Sequence, residues 1–561
     1  MLSQCAAHLR PARLEGMLLR ARAERALGVP ASAFLSILDI VYTLNQSEFY
    51  NAADDLLQRN IDAGRGKKVT IVDDDGAHTH DELVDRVNRC ANVLREFGLG
   101  AGQRILLCLI DSIDFHTSFL GAIKAGVVPV PLNTLWTSSD YAHVLADSGA
   151  AAAIVSEVRL SVLLDAAQSF GWNGRIILSA SKTQNNLPLL CRLLDSAPPR
   201  AETFLSRPDD MCFWLYSSGS TGKPKAAVHR QTSMAKTARL FGEGVLGLNE
   251  NDVTYSAAKL FFAYGLGNSL SFPLYTGATA VLLGGRALAP VVNAIVREKR
   301  PTLFCGVPTL YSSLLASSDL PKAGEHNLRL CTSAGEALPE HVGYSWQQRT
   351  GVEIVDAPGS TEMLHCFISN RPGAVRYGTS GRPVPGYKVK LVGDNGSEVG
   401  AGDIGELWVS GPTSCAYYWN HPEKSRSTFV GEWTRTGDKY RQDPAGDLVY
   451  CGRADDMLKV GGIWVSPMEV ESALACHETV LEAVVVGSPD ENGLLKPRAF
   501  VVVKPGILPD DELKQELKDF VKDKLAPYKY PRWVQFVPEL PKTATGKIQR
   551  FRLRDLPREE S

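Results

Sequence analysis

Residues 216–226 read Tyr-Ser-Ser-Gly-Ser-Thr-Gly-Lys-Pro-Lys-Ala and concentrate hydroxyls, glycines and cationic side chains in one short run. Gly219 and Gly222 permit positive φ and close backbone approach. Ser217, Ser218, Ser220 and Thr221 offer hydroxyl donors beside backbone N–H groups, while Lys223 and Lys225 add charge. Such a loop can wrap a polyphosphate. It is not the P-loop of ordinary NTPases, because Ser217 stands at the leading Gly position and Lys223 is followed by Pro224 rather than Ser or Thr. A solvated polar loop fits the same composition. The apolar run Met211–Leu215 predicts a buried strand before it and the spacing from His229 a helix after it, so the loop is expected between a strand and a helix.

Other short runs could join it. In Ala357-Pro358-Gly359-Ser360-Thr361-Glu362, after the apolar Val352–Val355, Glu362 suits a phosphate-bound magnesium ion, which takes hard carboxylate oxygen. The same residues also fit a helix start, with Ser360 as cap and Glu362 favoured by the dipole. Asp438 closes Trp433-Thr434-Arg435-Thr436-Gly437-Asp438, where an Asp after Gly also fits a turn. Gly452–Glu471 and Pro541–Lys547 complete the set. By contrast, Gly242, Gly244 and Gly247 match the dinucleotide fingerprint letter for letter, but they follow a helical pattern instead of a strand and read as a helix-ending loop.

The elements that must position these runs alternate between α and β from about residue 48. Helices are expected over 81–97 and 114–124, and strands over 104–110, 127–132, 151–155, 175–178, 279–283 and 302–307. Wound, largely parallel sheets with helices on their faces follow. From Pro383 turn signals punctuate short strands, 388–392 and 406–409 among them. A compact α+β set closes the chain: helices 466–476 and 510–525, strands 481–487, 498–504 and 533–537. The expected division is an N-terminal extension over 1–47, a large domain over 48–453 with a strand-rich subdomain, and a small mobile domain over 454–561.

Composition bounds the partners. The 561 residues exceed what one core supports. Sixty Lys and Arg against 62 Asp and Glu leave no field for nucleic acid, so small molecules are expected. Eleven scattered cysteines without a Cys-x-x-Cys pair, and eleven histidines without metal spacing, point to a reducing cytoplasm and away from zinc. His78 and His80 read as exposed loop residues. No apolar run reaches the roughly 18 residues of a membrane helix; Phe34–Leu44, the best candidate, is short and carries Asp39. The arginines among the first thirty residues faintly suggest a transit peptide, but the extension reads better as nonessential.

In this order the five runs resemble the adenylate-forming superfamily of acyl-CoA synthetases, adenylation domains and luciferases, over residues 48–555. Lys259–Asn268, Ser333–Pro339 and Gly359–His365 resemble its benzoate–CoA ligase branch. The resemblance implies that an aromatic carboxylic acid attacks ATP to give acyl-AMP and pyrophosphate, and that coenzyme A then displaces AMP, with Mg2+ as cofactor. It makes Ser217–Lys225, Thr221 and Lys225 included, the pyrophosphate loop and Glu362 the magnesium-associated acid. Ser333, Ala334, Gly335, Glu336 and Asp356–Thr361 would surround the adenosine. Asp438 would hold the ribose hydroxyls, Arg453 would assist at ribose and phosphate, and Lys547 would bridge carboxylate and α-phosphate. Asp455 matches the hinge about which such enzymes rotate their C-terminal domain, after which Lys459, Gly461 and Gly462 would face a pantetheine tunnel. Phe262, Ala263, Tyr264, Gly306, Gly335, Ala357, Pro358, Gly359, His365 and Cys366 would surround the aryl group. Departures from the pattern are Ala226 for a common Gly, Ala357-Pro358 for Gly and an aliphatic residue, and Cys366 for Ile; they bear on the ring accepted. Rival readings are a stand-alone enzyme that loads a carrier-protein thiol and a noncatalytic ligand-binding relative.

Overall fold

The computed structural model describes residues 49–217, 223–454, 456–460, 463–491, 494–542 and 548–557. Two wound sheets dominate the large N-terminal part. In the four-stranded sheet the order is Val128–Pro131, Arg104–Cys108, Ala152–Ser156, Arg175–Ser179, all parallel. Its continuous apolar runs have a direct cause: alternate residues enter different cores. Ile105, Leu107, Ala152 and Ile154 pack on one face, and Leu106, Cys108, Ala153 and Val155 on the other. A strand buried on both faces cannot show polar alternation.

The seven-stranded sheet runs Ile354–Asp356, Leu330–Ser333, Leu303–Gly306, Val253–Ser256, Thr279–Val281, Val69–Asp73 and Gly76–Thr79; only the last pair is antiparallel. It too is covered on both faces, with Leu303, Leu330 and Val355 in one core and Phe304, Cys331 and Ile354 in the other. A five-stranded antiparallel sheet follows, with Trp433–Gln442 pairing to Gly405–Ser410, Phe429–Val430 and Leu448–Arg453. The C-terminal part holds the hairpin Leu458–Val460/Ile463–Val465, helices Pro467–Ala475 and Asp511–Lys524, and a three-stranded sheet around a core of its own. Among the described residues no helix is long and apolar enough to cross a membrane.

Most predicted helices and strands lie within a few residues of their expected bounds, but three local readings need correction. The hydroxyl-rich loop joins two antiparallel strands, Met211–Ser217 and Lys225–Arg230, so no helix follows it. Residues 226–229 are all buried, and the strand's second edge is covered by residues 416–419 through Val228 N→Tyr417 O, Ala416 N→Val228 O and Trp419 N→Ala226 O; the helix begins only at Ser233. Nor does a helix start at Glu362. Ser360 Oγ does accept from Met363 N at 3.2 Å, but Leu364 takes φ 67°, which ends any right-handed turn. Finally, His78 and His80 are not exposed loop residues. His78 is half-buried on an edge strand with Nε2 3.0 Å from Asp73 Oδ1, and His80 is buried at the head of the helix that Thr79 caps.

Candidate functional site

Parallel sheets present ligands at the carboxyl ends of their strands. Here Gly306, Ser333 and Asp356 lie in one row at the ends of three neighbouring strands, in register Gly306↔Ser333 and Ser333↔Asp356. The chain leaves that row into Ala334-Gly335-Glu336 and Ala357–Thr361, the segments expected around adenosine. Gly335 takes φ +90° and needs to be glycine. At Gly359 a Cβ would lie 2.7 Å from His365 O and 2.9 Å from Cys366 N, because the loop folds back on itself there in an isolated Gly359↔Cys366 bridge.

Ser333 Oγ is fully buried with no hydrogen-bond partner among the described residues, a polar atom left for a ligand. The Asp356 carboxyl is buried, and desolvation pushes its pKa up to about 8 against one favourable backbone N–H from Leu338. Because that pKa lies above the unfolded value, the folded state binds a proton that the unfolded state has lost from about pH 4 upward. Asp356 therefore subtracts stability as pH rises from about 4 to about 8. Asp356→Asn is expected to flatten the fall of Tm over that window in scanning calorimetry. A variant whose decline parallels the parent would show that Asp356 is ionised in the fold.

Further along the same loop, Glu362 meets the hydroxyl-rich hairpin. Tyr418 Oη donates to Glu362 Oε1 at 2.7 Å, and Ser217 Oγ approaches the same oxygen at 3.5 Å. Lys225 Nζ sits 4.4 Å from the centre of the Tyr418 ring. Burial lowers the Lys225 pKa, opposed by the Glu362 charge, and Arg453 is near enough to act on it as well. Arg453 stands opposite Asp438 across an antiparallel pair and donates from Nη1 to Asp438 Oδ1 at 2.9 Å and to Thr436 O at 2.9 Å. Gly437 lets this happen: a Cβ there would come within 2.8 Å of Arg453 Nη2. Acid and cation expected at ribose and phosphate are thus adjacent.

A third group surrounds His365. Its ring is 2% exposed, with centroids 4.5 Å from Phe272, 5.2 Å from Phe241 and 5.4 Å from Tyr264. Desolvation lowers its pKa to about 3, so the imidazole is neutral and its Nε2–H can donate to Tyr264 O at 3.4 Å. Tyr264 Oη lies 2.5 Å from Thr332 Oγ1, which ties this group to the strand-end row. Phe262 and Ala263 precede it, both half-buried, and Pro358 is half-buried across the loop. Cys366 Sγ donates to Ala357 O at 2.9 Å, and both residues are buried, so this thiol braces the wall through the backbone.

Ser218, Gly219, Ser220, Thr221, Gly222, Asp455, Gly461, Gly462 and Lys547 lie outside the described residues; Lys459 is on the strand Leu458–Val460, paired with Trp464. Sequence reading missed Tyr418, Phe241, Phe272 and Thr332. The aromatic run Tyr417-Tyr418-Trp419 was a visible signal, but nothing in its spacing links it to an acid 56 residues away.

Comparison with known proteins sets this geometry in a wider group. A family model described as AMP-binding enzyme matches residues 57–419, and one described as AMP-binding enzyme C-terminal domain matches residues 469–547. The chain is 55% identical over 509 residues to a benzoate–CoA ligase of Thauera aromatica, covering 90% of this chain and 96% of that one. It superposes on a benzoate CoA ligase from Burkholderia xenovorans LB400 with a TM-score of 0.85 at 50% identity, covering 90% of this chain and all of the other. On an anthranilate CoA ligase in complex with anthranoyl-AMP the TM-score is 0.86 at 43% identity, with coverage of 91% and 98%.

Proposed function

Since the chain belongs to the AMP-binding enzyme family, in the benzoate–CoA ligase branch of the adenylate-forming superfamily, we propose that it is an ATP-dependent, AMP-forming aryl–CoA ligase. It joins benzoate, or a benzoate with one small substituent, to the α-phosphate of ATP with release of pyrophosphate. It then passes the acyl group to the CoA thiol with release of AMP. The observation that carries this reading is the meeting of the hydroxyl-rich hairpin, the acid Glu362 and the buried aromatic cluster around His365 on one loop, residues 356–366.

In this reading the chain's own groups divide the labour. Ser217–Lys225 hold the departing pyrophosphate, and Lys225 places a fixed positive charge beside it. Asp438 accepts hydrogen bonds from the ribose hydroxyls, with Arg453 aiming the carboxylate through its ion pair. Tyr264, His365 and the Ala357–Gly359 segment make a flat slot that excludes long chains by overlap. The donor set at Glu362, one carboxylate flanked by hydroxyls, is hard oxygen and fits Mg2+; bound there with the phosphates, the ion would neutralise charge on the leaving group. Lys547 orients the carboxylate against the α-phosphate and then gives way to Lys459, Gly461 and Gly462 as the C-terminal domain turns about Asp455. The strand Leu448–Arg453 completes one sheet and Leu458–Val460 opens another, which supports a division at residue 454. Ten free cysteines among the described residues support a reducing, cytoplasmic setting.

A screen of ring acids and fatty acids for ATP-dependent CoA-thioester formation tests the proposal. Benzoate and its monohydroxy or monoamino forms should be turned over well above hexanoate and longer chains. Turnover of medium- or long-chain acids with none of any benzoate would overturn the substrate class. Acyl-AMP that passes to a carrier-protein thiol and never to CoA would overturn the acceptor.

A further inference from the structure

Glu362 is gripped by one short segment of chain that also carries the pyrophosphate hairpin. Thr413 Oγ1 donates to Met363 O at 2.8 Å, Cys415 N donates to Glu362 O at 2.7 Å, and Tyr418 Oη donates to the Glu362 carboxylate at 2.7 Å. On its other side the segment is hydrogen-bonded along Ala226–Val228, with an isolated bridge Ala227↔Tyr418. Its far end is anchored by Trp419, whose ring lies 4.5 Å from that of Trp214 and whose Nε1 donates to Asp147 O at 3.1 Å. Tyr418 is therefore fixed at both neighbours and only 3% exposed.

We propose that Tyr418 is a positioning residue for the ATP-bound cation: its hydroxyl occupies one Glu362 oxygen and so orients the carboxylate, while its ring seats the Lys225 ammonium. The proposal rests on the reading of Glu362 given above. A phenol that bonds Oε1 removes one rotational choice from the Glu362 side chain. The acid thus meets the tyrosine at its hydroxyl and the lysine at its ring face, so that the acid would serve the cation and the lysine the phosphates. An aromatic face also retains an ammonium by attraction to its π-electrons without taking up the N–H donors that a phosphate needs.

Calorimetric binding of a β,γ-methylene ATP analogue, with Mg2+ and with EDTA, separates the two functions without turnover. Tyr418→Phe keeps the ring and removes the hydroxyl. It should lower the Mg2+-dependent gain in affinity about tenfold while leaving metal-free affinity within about twofold. Tyr418→Leu should weaken metal-free binding as well, because Lys225 loses its seat. If Tyr418→Phe keeps the full Mg2+-dependent gain, or loses affinity equally with and without metal, the tyrosine is only core. Glu362→Gln separates the two readings. If Glu362→Gln abolishes the gain and Tyr418→Phe does not, the tyrosine proposal alone fails. If Glu362→Gln leaves the gain intact, the reading of Glu362 fails and takes the tyrosine proposal with it.

Discussion

Lys547→Ala is expected to slow formation of acyl-AMP by about a hundred- to a thousandfold while leaving transfer from supplied acyl-AMP to CoA within a few-fold of the parent. The size follows from the role: one charge placed where negative charge shifts toward pyrophosphate supplies about 3 to 4 kcal/mol in the transition state. The split follows from the two-step chemistry, because thioester formation expels AMP and no longer needs a cation bridging carboxylate and phosphate. General damage to the domain is not expected, because the described residues on either side of Lys547 are tied down independently of it. Lys542 and Ile548 form an isolated bridge, Gln549 N donates to Pro541 O at 2.8 Å, and Lys542 Nζ donates to Glu482 Oε1 at 2.6 Å. Arg550 donates to Glu471 Oε2 at 2.9 Å and to Val485 O at 3.0 Å. Pyrophosphate release and single-turnover thioester formation, measured side by side, decide the matter. Equal losses in both halves would remove Lys547 from the first step.

Acetylation of Lys547 cancels the same charge and should reproduce the alanine variant's split. The reaction would then be switched at its first half, with any acyl-AMP already formed still able to proceed to the thioester.

How far such a site can be read from sequence depends on whether its contacts are local. The doubly covered strands were legible because burial on both faces leaves an uninterrupted apolar run, as in Arg104–Cys108. The glycines and hydroxyls of residues 216–226 allowed an anion binder and a solvated loop alike, and only the order of runs along the chain favoured the first. The secondary structure after them was not legible, because Ala226-Ala227-Val228-His229 is too short and uniform for helix and strand periods to separate. What decided the outcome there was pairing with Met211–Ser217 on one edge and 416–419 on the other, contacts that spacing cannot encode. Tyr418 was lost for the same reason. His365 was assigned to the site only through resemblance; its cage comes from Phe241, Tyr264 and Phe272, two of which lie in segments that carry no motif of their own. The small residues facing that cage are where the reading can be tested hardest.

Gly267→Ala should lower kcat/KM for benzoate by about 30- to 150-fold while KM for ATP stays within about threefold. A Cβ at Gly267 would lie 2.3 Å from His365 Cδ2 and 2.6 Å from His365 Nε2, with Phe272 Cζ at 3.1 Å. Neither side can yield freely. The imidazole is enclosed by Phe241, Phe272 and Tyr264, and the helical turn that carries Gly267 is fixed by Thr254 Oγ1 donating to Asn268 O at 3.1 Å and by His116 Nε2 at 2.9 Å from Ser269 O. The ring must therefore shift along its remaining direction, into the proposed slot. Overpacking of this kind costs about 1 to 3 kcal/mol, and the upper part of that range corresponds to the stated loss. The atoms nearest a Cβ at Gly267 belong to His365 and Phe272 and not to the nucleotide segments, so nucleotide binding should be spared. His365→Ala in the same chain removes the obstacle. The double variant should then recover thermal stability relative to Gly267→Ala alone, the coupling expected of residues in direct contact. A Gly267→Ala enzyme with unchanged kcat/KM for benzoate would place His365 outside the acid slot, and equal losses for benzoate and ATP would mean the substitution had damaged the domain as a whole.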